Sequence, residues 1–197
     1  MSRLKNIILT GDIGCGKSTL VQKILRELNI PFTGIFCHAL FRDDVKVGYG
    51  LKIPGINELQ IFAHVDIKSA QHMQKFGVEL KPFEKAALVI RKSVASPPQL
   101  FVIDEIGIME QSAIEYQQAV RRLLDSNIAT LLVVQRRANY FWKDTKKRQD
   151  VIVFELTDNH MMVQQQIKQA LKKITDADRR IHGKIGLRDQ IKHGHHF

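Results

Sequence analysis

Residues 11–18 have the types and spacing needed to hold a chain of phosphate groups. They read Gly-Asp-Ile-Gly-Cys-Gly-Lys-Ser, which satisfies the pattern G-x-x-x-x-G-K-[ST]. Glycines let such a loop turn its backbone N–H groups toward an anion, and the positive end of the following helix adds to the attraction. Lys17 is expected to reach the β- and γ-phosphates of a nucleotide, and Ser18 to offer its hydroxyl to Mg²⁺. The predicted nucleotide-binding residues here are Gly11, Asp12, Ile13, Gly14, Cys15, Gly16, Lys17, Ser18 and Thr19.

A pair of acidic residues supplies the second half of the predicted site. The apolar run 100–103 is followed directly by Asp104 and Glu105. An Asp that ends a strand beside a phosphate loop typically helps to hold Mg²⁺, so Asp104 and Ser18 are the predicted metal residues. A carboxylate one position later can polarise a water that attacks the γ-phosphate. We therefore predict nucleotide contacts for both acids and a catalytic role for Glu105, together with Lys17.

A basic segment with interspersed aromatic residues follows the apolar run 129–135. In parallel α/β sheets the loops at the carboxyl ends of strands face the ligand, so Arg136 is the predicted stabiliser of charge on the transferring phosphate. Two alternatives stay open: a solvated loop held by one aromatic anchor, or a nucleic-acid contact through phosphates and base stacking. The segment contains Arg136, Arg137, Tyr140, Phe141, Trp142, Lys143, Lys146, Lys147 and Arg148.

Apolar runs and helix-period segments alternate along the chain in the manner of an α/β protein. Continuously apolar runs indicate strands covered on both faces, as in a parallel sheet. The predicted strands are 5–10, 33–40, 100–104, 129–135 and 151–156, with an edge β-hairpin or meander over 45–65. The predicted helices are one directly after the phosphate loop and those over 82–95, 110–125 and 158–174. Met109 and Glu110 are expected to open the helix over 110–125, with Glu110 beside its positive end.

Composition narrows the class of protein. The chain has 197 residues, 44% of them hydrophobic, which suits one domain with a proper core. Two cysteines predict no disulfide framework, the first strand leaves no room for a signal peptide, and no apolar run would span a bilayer. A cytoplasmic protein without a membrane partner is expected. The formal charge of +10 favours anionic partners, and residues 168–197 carry eight Lys or Arg against three Asp.

The block over 102–110, Val-Ile-Asp-Glu-Ile-Gly-Ile-Met-Glu, resembles the DEIGxME block of the THEP1-type nucleoside-triphosphatases. Flanking segments are similar too, and the likeness spans residues 5–174. The resemblance implies a three-layer, RecA-like P-loop NTPase fold with a mostly parallel sheet and helices on both faces. It also implies slow Mg²⁺-dependent hydrolysis of ATP, GTP and other triphosphates, with Glu105 as the residue that activates water. The similar flanks are 33–36, 46–49, 76–80, 83–84 and 153–157.

Together these observations predict a P-loop NTPase domain over 1–175 and a basic C-terminal extension over 176–197, a candidate for a flexible tail. The predicted activity is Mg²⁺-dependent conversion of nucleoside triphosphates to diphosphate and phosphate by a monomer. One alternative is a small-molecule or nucleotide kinase, which shares the phosphate loop and transfers the phosphoryl group to an acceptor. The other is a nucleic-acid-associated ATPase that binds through the basic segment 136–148 and the C-terminal extension.

Overall fold

A computed structural model describes the backbone of residues 4–192 and the side chains of residues 4–176. Within this part of the chain, one sheet has the strand order β5-β6-β4-β3-β2-β7-β8-β1-β9. The strands are β1 Asn6–Gly11, β2 Phe32–Arg42, β3 Val45–Lys52, β4 Gln60–His64, β5 His72–Met73, β6 Phe76–Val78, β7 Leu100–Ile106, β8 Ala129–Val134 and β9 Val151–Leu156. The α-helices are α1 Lys17–Leu28, α2 Lys81–Ala95, α3 Ile114–Asp125, α4 Asn139–Thr145 and α5 His160–Lys192.

Five strands form a parallel half of the sheet, in which β2, β7, β8, β1 and β9 lie side by side. Every residue of β1 and β8 is buried, because helices cover both faces of these strands. This arrangement confirms the parallel sheet predicted from the continuously apolar runs. The carboxyl ends of β1, β7 and β8 meet at one edge, and that edge carries the candidate site.

The other half of the sheet is antiparallel. β2 continues to Arg42 and pairs with β3, β3 pairs with β4, and β4 pairs with β6. The predicted edge meander over 45–65 is therefore confirmed, and the two short strands β5 and β6 extend it. These additional strands stand beyond β2, so they border the side of the site that is remote from β1.

Helices pack on both faces of the sheet and make three layers. The apolar faces of α1 and α5 cover one side, where Leu20, Ile24 and Ile167 are buried. α2 and α3 cover the opposite side through residues such as Phe83 and Leu123. Amphipathic sequences of this kind are stable as helices mainly because the apolar stripe is buried. Across the part of the chain that the structure describes, every helix is too short or too polar to cross a bilayer.

Two predicted elements differ from those observed. The segment predicted as a helix over 110–125 is divided, because a 3-10 turn over Met109–Ser112 precedes α3. Glu110 therefore does not open an α-helix at a solvated end, and its side chain is buried. The predicted last helix over 158–174 begins at His160 and continues to Lys192. The domain division at residue 176 stays a prediction, and residues 193–197 of the predicted extension lie outside the described residues.

Candidate active site at the carboxyl edge of the sheet

The phosphate loop lies between the end of β1 and the start of α1, as predicted. Gly14 and Gly16 have positive φ angles of 80° and 91°, which side chains rarely allow. The Gly16 carbonyl accepts a bond from the Leu20 N–H at 2.9 Å, so the helix begins immediately after the last loop glycine. The free N–H groups of the first turn thus face the loop, where an anion is stabilised by the helix dipole.

Lys17 is the first residue of α1, and only 5% of it is exposed. Its Nζ donates to the Gly11 carbonyl at 3.1 Å and to the Asp12 carbonyl at 2.7 Å. The ammonium group is therefore held inside the curve of the loop, next to the space that a phosphate chain would fill. The Cys15 Sγ atom lies 4.0 Å from the same nitrogen, while Ile13 on the rim is 75% exposed.

Ser18 and Asp104 are in direct contact although they are far apart in sequence. The Ser18 hydroxyl donates to Asp104 Oδ1 at 2.9 Å. Burial, with a smaller contribution from the charge of Glu105, raises the pKa of Asp104 to about 6, against the hydrogen bond from Ser18 and the charge of Lys17. A nearby cation would strongly stabilise the charged form of this carboxylate, because little solvent is available to do so.

The oxygens of Ser18 and Asp104 fit a magnesium ion. Mg²⁺ prefers oxygen ligands and keeps several waters, so one hydroxyl with a carboxylate close behind it suits the ion when a nucleotide supplies phosphate oxygens. The residues that would hold it are those predicted from the sequence.

The side chain of Glu105 lies in a different environment from that of its neighbour Asp104. The pairing of β7 with β8 shifts between Asp104 and Ile106, which leaves Glu105 opposite no partner, and such irregularities re-aim a side chain. Glu105 is half-buried and lines a cavity of about 130 Å³ to which Ile13 of the phosphate loop also contributes. The two carboxylates therefore have different surroundings: Asp104 contacts Ser18, and Glu105 lines the cavity.

Arg136 follows β8 and spans two neighbouring elements. One guanidinium nitrogen, Nη1, lies 2.7 Å from Asp12 Oδ1 of the phosphate loop, and Nη2 is hydrogen-bonded to Glu155 of β9. About half of the Arg136 side chain is exposed, so it can reorganise at small cost. The structure thus places the predicted arginine beside the phosphate loop, paired with Asp12 and Glu155.

The aromatic residues of the basic segment 136–148 are largely structural. Phe141 and Trp142 are buried on α4, and the Trp142 indole N–H donates to the Gln135 carbonyl at 2.9 Å. Arg148 pairs with Asp150, with an Nη2–Oδ2 distance of 2.8 Å. These two buried rings anchor the segment to the protein, and neither ring offers a free face to a nucleic-acid base.

The sequence did not predict the residues that fix the loop after Glu105. Gly107 is held on both sides, because its N–H donates to Glu110 Oε2 at 2.9 Å and its carbonyl accepts from the Tyr140 hydroxyl at 2.9 Å. Burial, with a smaller contribution from the charge of Glu105, raises the pKa of Glu110 to about 7, against the hydrogen bond from the Gly107 N–H. An acid three residues after the Asp-Glu-Ile-Gly sequence was the available signal, but it indicated a helix start instead.

Another unpredicted neighbour of the phosphate loop is His160, the first residue of α5. A Cβ atom placed on Gly16 would lie 3.4 Å from His160 Cε1. The imidazole therefore lies close to the last glycine of the loop, where β9 gives way to α5.

Known proteins are similar to this chain in both sequence and fold. A family model described as NTPase matches residues 6–174. The chain is 30% identical to the nucleoside-triphosphatase THEP1 of Natranaerobius thermophilus over 79% of this chain and 89% of that protein. It is 26% identical to a cancer-related nucleoside-triphosphatase homolog of Mus musculus over 78% of this chain and 88% of that protein. The crystal structure of THEP1 from Aquifex aeolicus matches with a TM-score of 0.72 and 25% identity, over 85% of this chain and 99% of that one.

Proposed function

This chain belongs to the NTPase family, and we propose that it hydrolyses nucleoside triphosphates, ATP and GTP among them, to diphosphate and phosphate in a Mg²⁺-dependent reaction. Relatives named nucleoside-triphosphatases cover most of the chain, which supports a hydrolase that acts on phosphoanhydrides. The observation that carries the proposal is the 2.9 Å contact between Ser18 and Asp104, which joins the phosphate loop to the acidic pair.

Nucleotide binding is assigned to the loop and its lysine. The backbone N–H groups around Gly14 and Gly16 would cradle the β-phosphate, and Lys17 would exchange its two loop carbonyls for β- and γ-phosphate oxygens. An ammonium group that is already buried beside the site loses little freedom when it binds the phosphates. Catalysis gains from such placement, because the interactions do not have to be reorganised as charge develops.

Mg²⁺ would be held by Ser18, with Asp104 close behind it, and would neutralise charge on the β- and γ-phosphate oxygens. The chain's own contribution to the chemical step is then Glu105. Its carboxylate would orient a water in line with the bond between the γ-phosphorus and the bridging oxygen and accept a proton from that water. Arg136 would leave Asp12 for the γ-phosphate and stabilise its charge.

The direct experiment is phosphate release measured across a panel of ATP, GTP, CTP, UTP and tripolyphosphate, each with Mg²⁺ and with EDTA. We expect release from every nucleoside triphosphate with Mg²⁺ and background release with EDTA. Release that is independent of the metal would contradict the assignment of Ser18 and Asp104.

A kinase activity is the second candidate, and the cavity beside Glu105 favours it. Hydrolysis needs room for one water at Glu105, which takes about 10–15 Å³ on the scale on which this cavity measures about 130 Å³.

We infer that the protein is a cytoplasmic monomer. We also propose that it binds nucleic acid through the C-terminal extension and through exposed residues of the segment 136–148, such as Lys143 and Lys146. Counter-ion release would make such binding fall steeply with salt. Oligonucleotide binding measured at two salt concentrations, for the full chain and for a chain ending at residue 175, tests both sites.

A further inference from the structure

The cavity beside Glu105 extends away from the phosphate loop, toward the antiparallel half of the sheet. Its far wall is formed by Tyr49 of β3, Phe62 of β4 and Met73 of β5, and Cys37 of β2 adds to it. Because β7 separates these strands from β8 and β1, the cavity lies across Glu105 from Lys17. A molecule in it would face the outer side of a bound γ-phosphate.

The walls of the cavity suit an apolar ring. The Tyr49 and Phe62 rings stack with their centroids 6.2 Å apart, so they form a fixed aromatic surface. Met73 contributes a thioether, which makes favourable contacts with aromatic groups. Burial and the nearby carboxylates of Glu110 and Glu105 raise the pKa of the Cys37 thiol well above its ordinary value, so Cys37 is neutral in this wall.

The size of the cavity limits the occupant. An apolar cavity of about 150 Å³ is known to take up benzene, and the volume here is about 130 Å³. One six-membered ring therefore fits this volume. Glu105, Gln135 and Arg137 line the end toward β7 and β8, Gln74 adds an exposed amide beside Met73, and the buried Glu110 already accepts the Gly107 N–H. An occupant with an apolar ring and one hydroxyl would pack its ring on the aromatic wall and direct its hydroxyl to Glu105.

We propose that this cavity binds a second substrate, a single-ring aromatic or heteroaromatic alcohol, which accepts the γ-phosphoryl group in place of water. The hydroxyl gives its proton to the Glu105 carboxylate, its oxygen forms a bond to the γ-phosphorus, and the bond from the γ-phosphorus to the bridging oxygen breaks. The products are a phosphate monoester of the alcohol and a nucleoside diphosphate. This step rests on the proposed nucleotide site, since it needs the γ-phosphate held by Lys17.

The experiment uses the full chain with MgATP and two probes, benzyl alcohol and pyridine-3-methanol. ADP, free phosphate and the phosphate monoester are measured together by ³¹P NMR. Hydrolysis alone releases ADP and phosphate in equal amounts, whereas transfer makes ADP exceed phosphate by the amount of ester. We expect ester from at least one probe, and none from toluene or 3-methylpyridine, which lack the hydroxyl.

Variants then locate the site. Met73→Trp places a large ring in the cavity and is expected to lower ester formation at least tenfold, and Cys37→Phe serves the same purpose if the first variant does not unfold cooperatively. Leu88→Trp, at an exposed position on α2, is the matched control and should retain ester formation. A second cavity of about 130 Å³ lies between α3 and α4, and neither Met73 nor Cys37 lines it, so ester formed there would be unchanged in both variants.

The outcomes separate this proposal from the hydrolase proposal. Equal ADP and phosphate with both alcohols, or ester formation unchanged in Met73→Trp and Cys37→Phe, overturns the acceptor site. ADP formed only when an alcohol is present would instead overturn the hydrolase proposal and keep the acceptor site. Absence of ADP under all conditions overturns both.

Discussion

The buried carboxyl group of Glu110 should make the stability of this protein depend on pH in a way that one substitution removes. Glu110 is fully enclosed and accepts a hydrogen bond from the Gly107 N–H, and burial raises its pKa from 4.5 to about 7. The substitution Glu110→Gln replaces the ionisable carboxyl group with an amide, whose oxygen can accept the same bond. The difference between the two proteins therefore isolates the cost of ionising Glu110 inside the fold.

The sign and size of the effect follow from these pKa values. Between pH 4.5 and about 7 the folded protein holds more of the proton on Glu110 than the unfolded chain does, so the free energy of unfolding falls as pH rises. At about 1.4 kcal/mol per pKa unit, the loss approaches about 3 kcal/mol above pH 7. For a chain of this length that corresponds to roughly 6–12 °C in melting temperature.

Thermal and urea unfolding of the parent and of Glu110→Gln should be measured from pH 4 to pH 8. The variant is expected to gain stability relative to the parent as pH rises, whatever constant offset the new amide introduces at pH 4. Glu115→Gln, at a glutamate on α3 whose side chain is 65% exposed, is the matched control and should show no such trend. A difference between parent and Glu110→Gln that stays constant over the whole range would refute the reasoning.

Three further substitutions address the site. Ser18→Ala should raise the Mg²⁺ concentration for half-maximal phosphate release at least tenfold, because loss of a group that binds a metal or orients its ligands typically costs about 10–100-fold in metal affinity. An unchanged metal titration would contradict the assignment. Arg136→Ala should lower kcat roughly tenfold or more, because the γ-phosphate loses a stabilising charge. The free energy of unfolding should change little, since the exposed pair of Arg136 with Asp12 contributes only about 0–1 kcal/mol. A kcat equal to that of the parent would remove Arg136 from the mechanism. Tyr140→Phe should cost about 1 kcal/mol of stability and lower kcat, because the Gly107 carbonyl loses its donor; calorimetry and steady-state kinetics check this, and unchanged values would deny the clamp.

The sequence predicted the phosphate loop and the parallel strands because both leave local signals. The loop pattern over 11–18 depends on glycines whose backbone roles are fixed within a few residues. The fully buried strands β1 and β8 read as continuous apolar runs, since neither of their faces meets water. These features depend little on distant partners.

The burial of Glu110 and the acceptor cavity could not be predicted in the same way. Glu110 is an acid beside other acids, and only the packing of Tyr140, far along the chain, encloses the turn that contains it. The cavity is closed by Met73 in a strand of two residues, which has no periodicity to detect. Both features arise from long-range pairing rather than from local pattern.

In the proposed mechanism Glu105 activates the attacking nucleophile, so its replacement is the most direct test. A single-turnover assay with Glu105→Gln should show phosphate release reduced at least a hundredfold while a fluorescent ATP analogue still binds with Mg²⁺ within about threefold of the parental affinity, because general-base catalysis typically contributes about 10²–10⁴-fold. Phosphate release at the parental rate from Glu105→Gln would contradict the central claim.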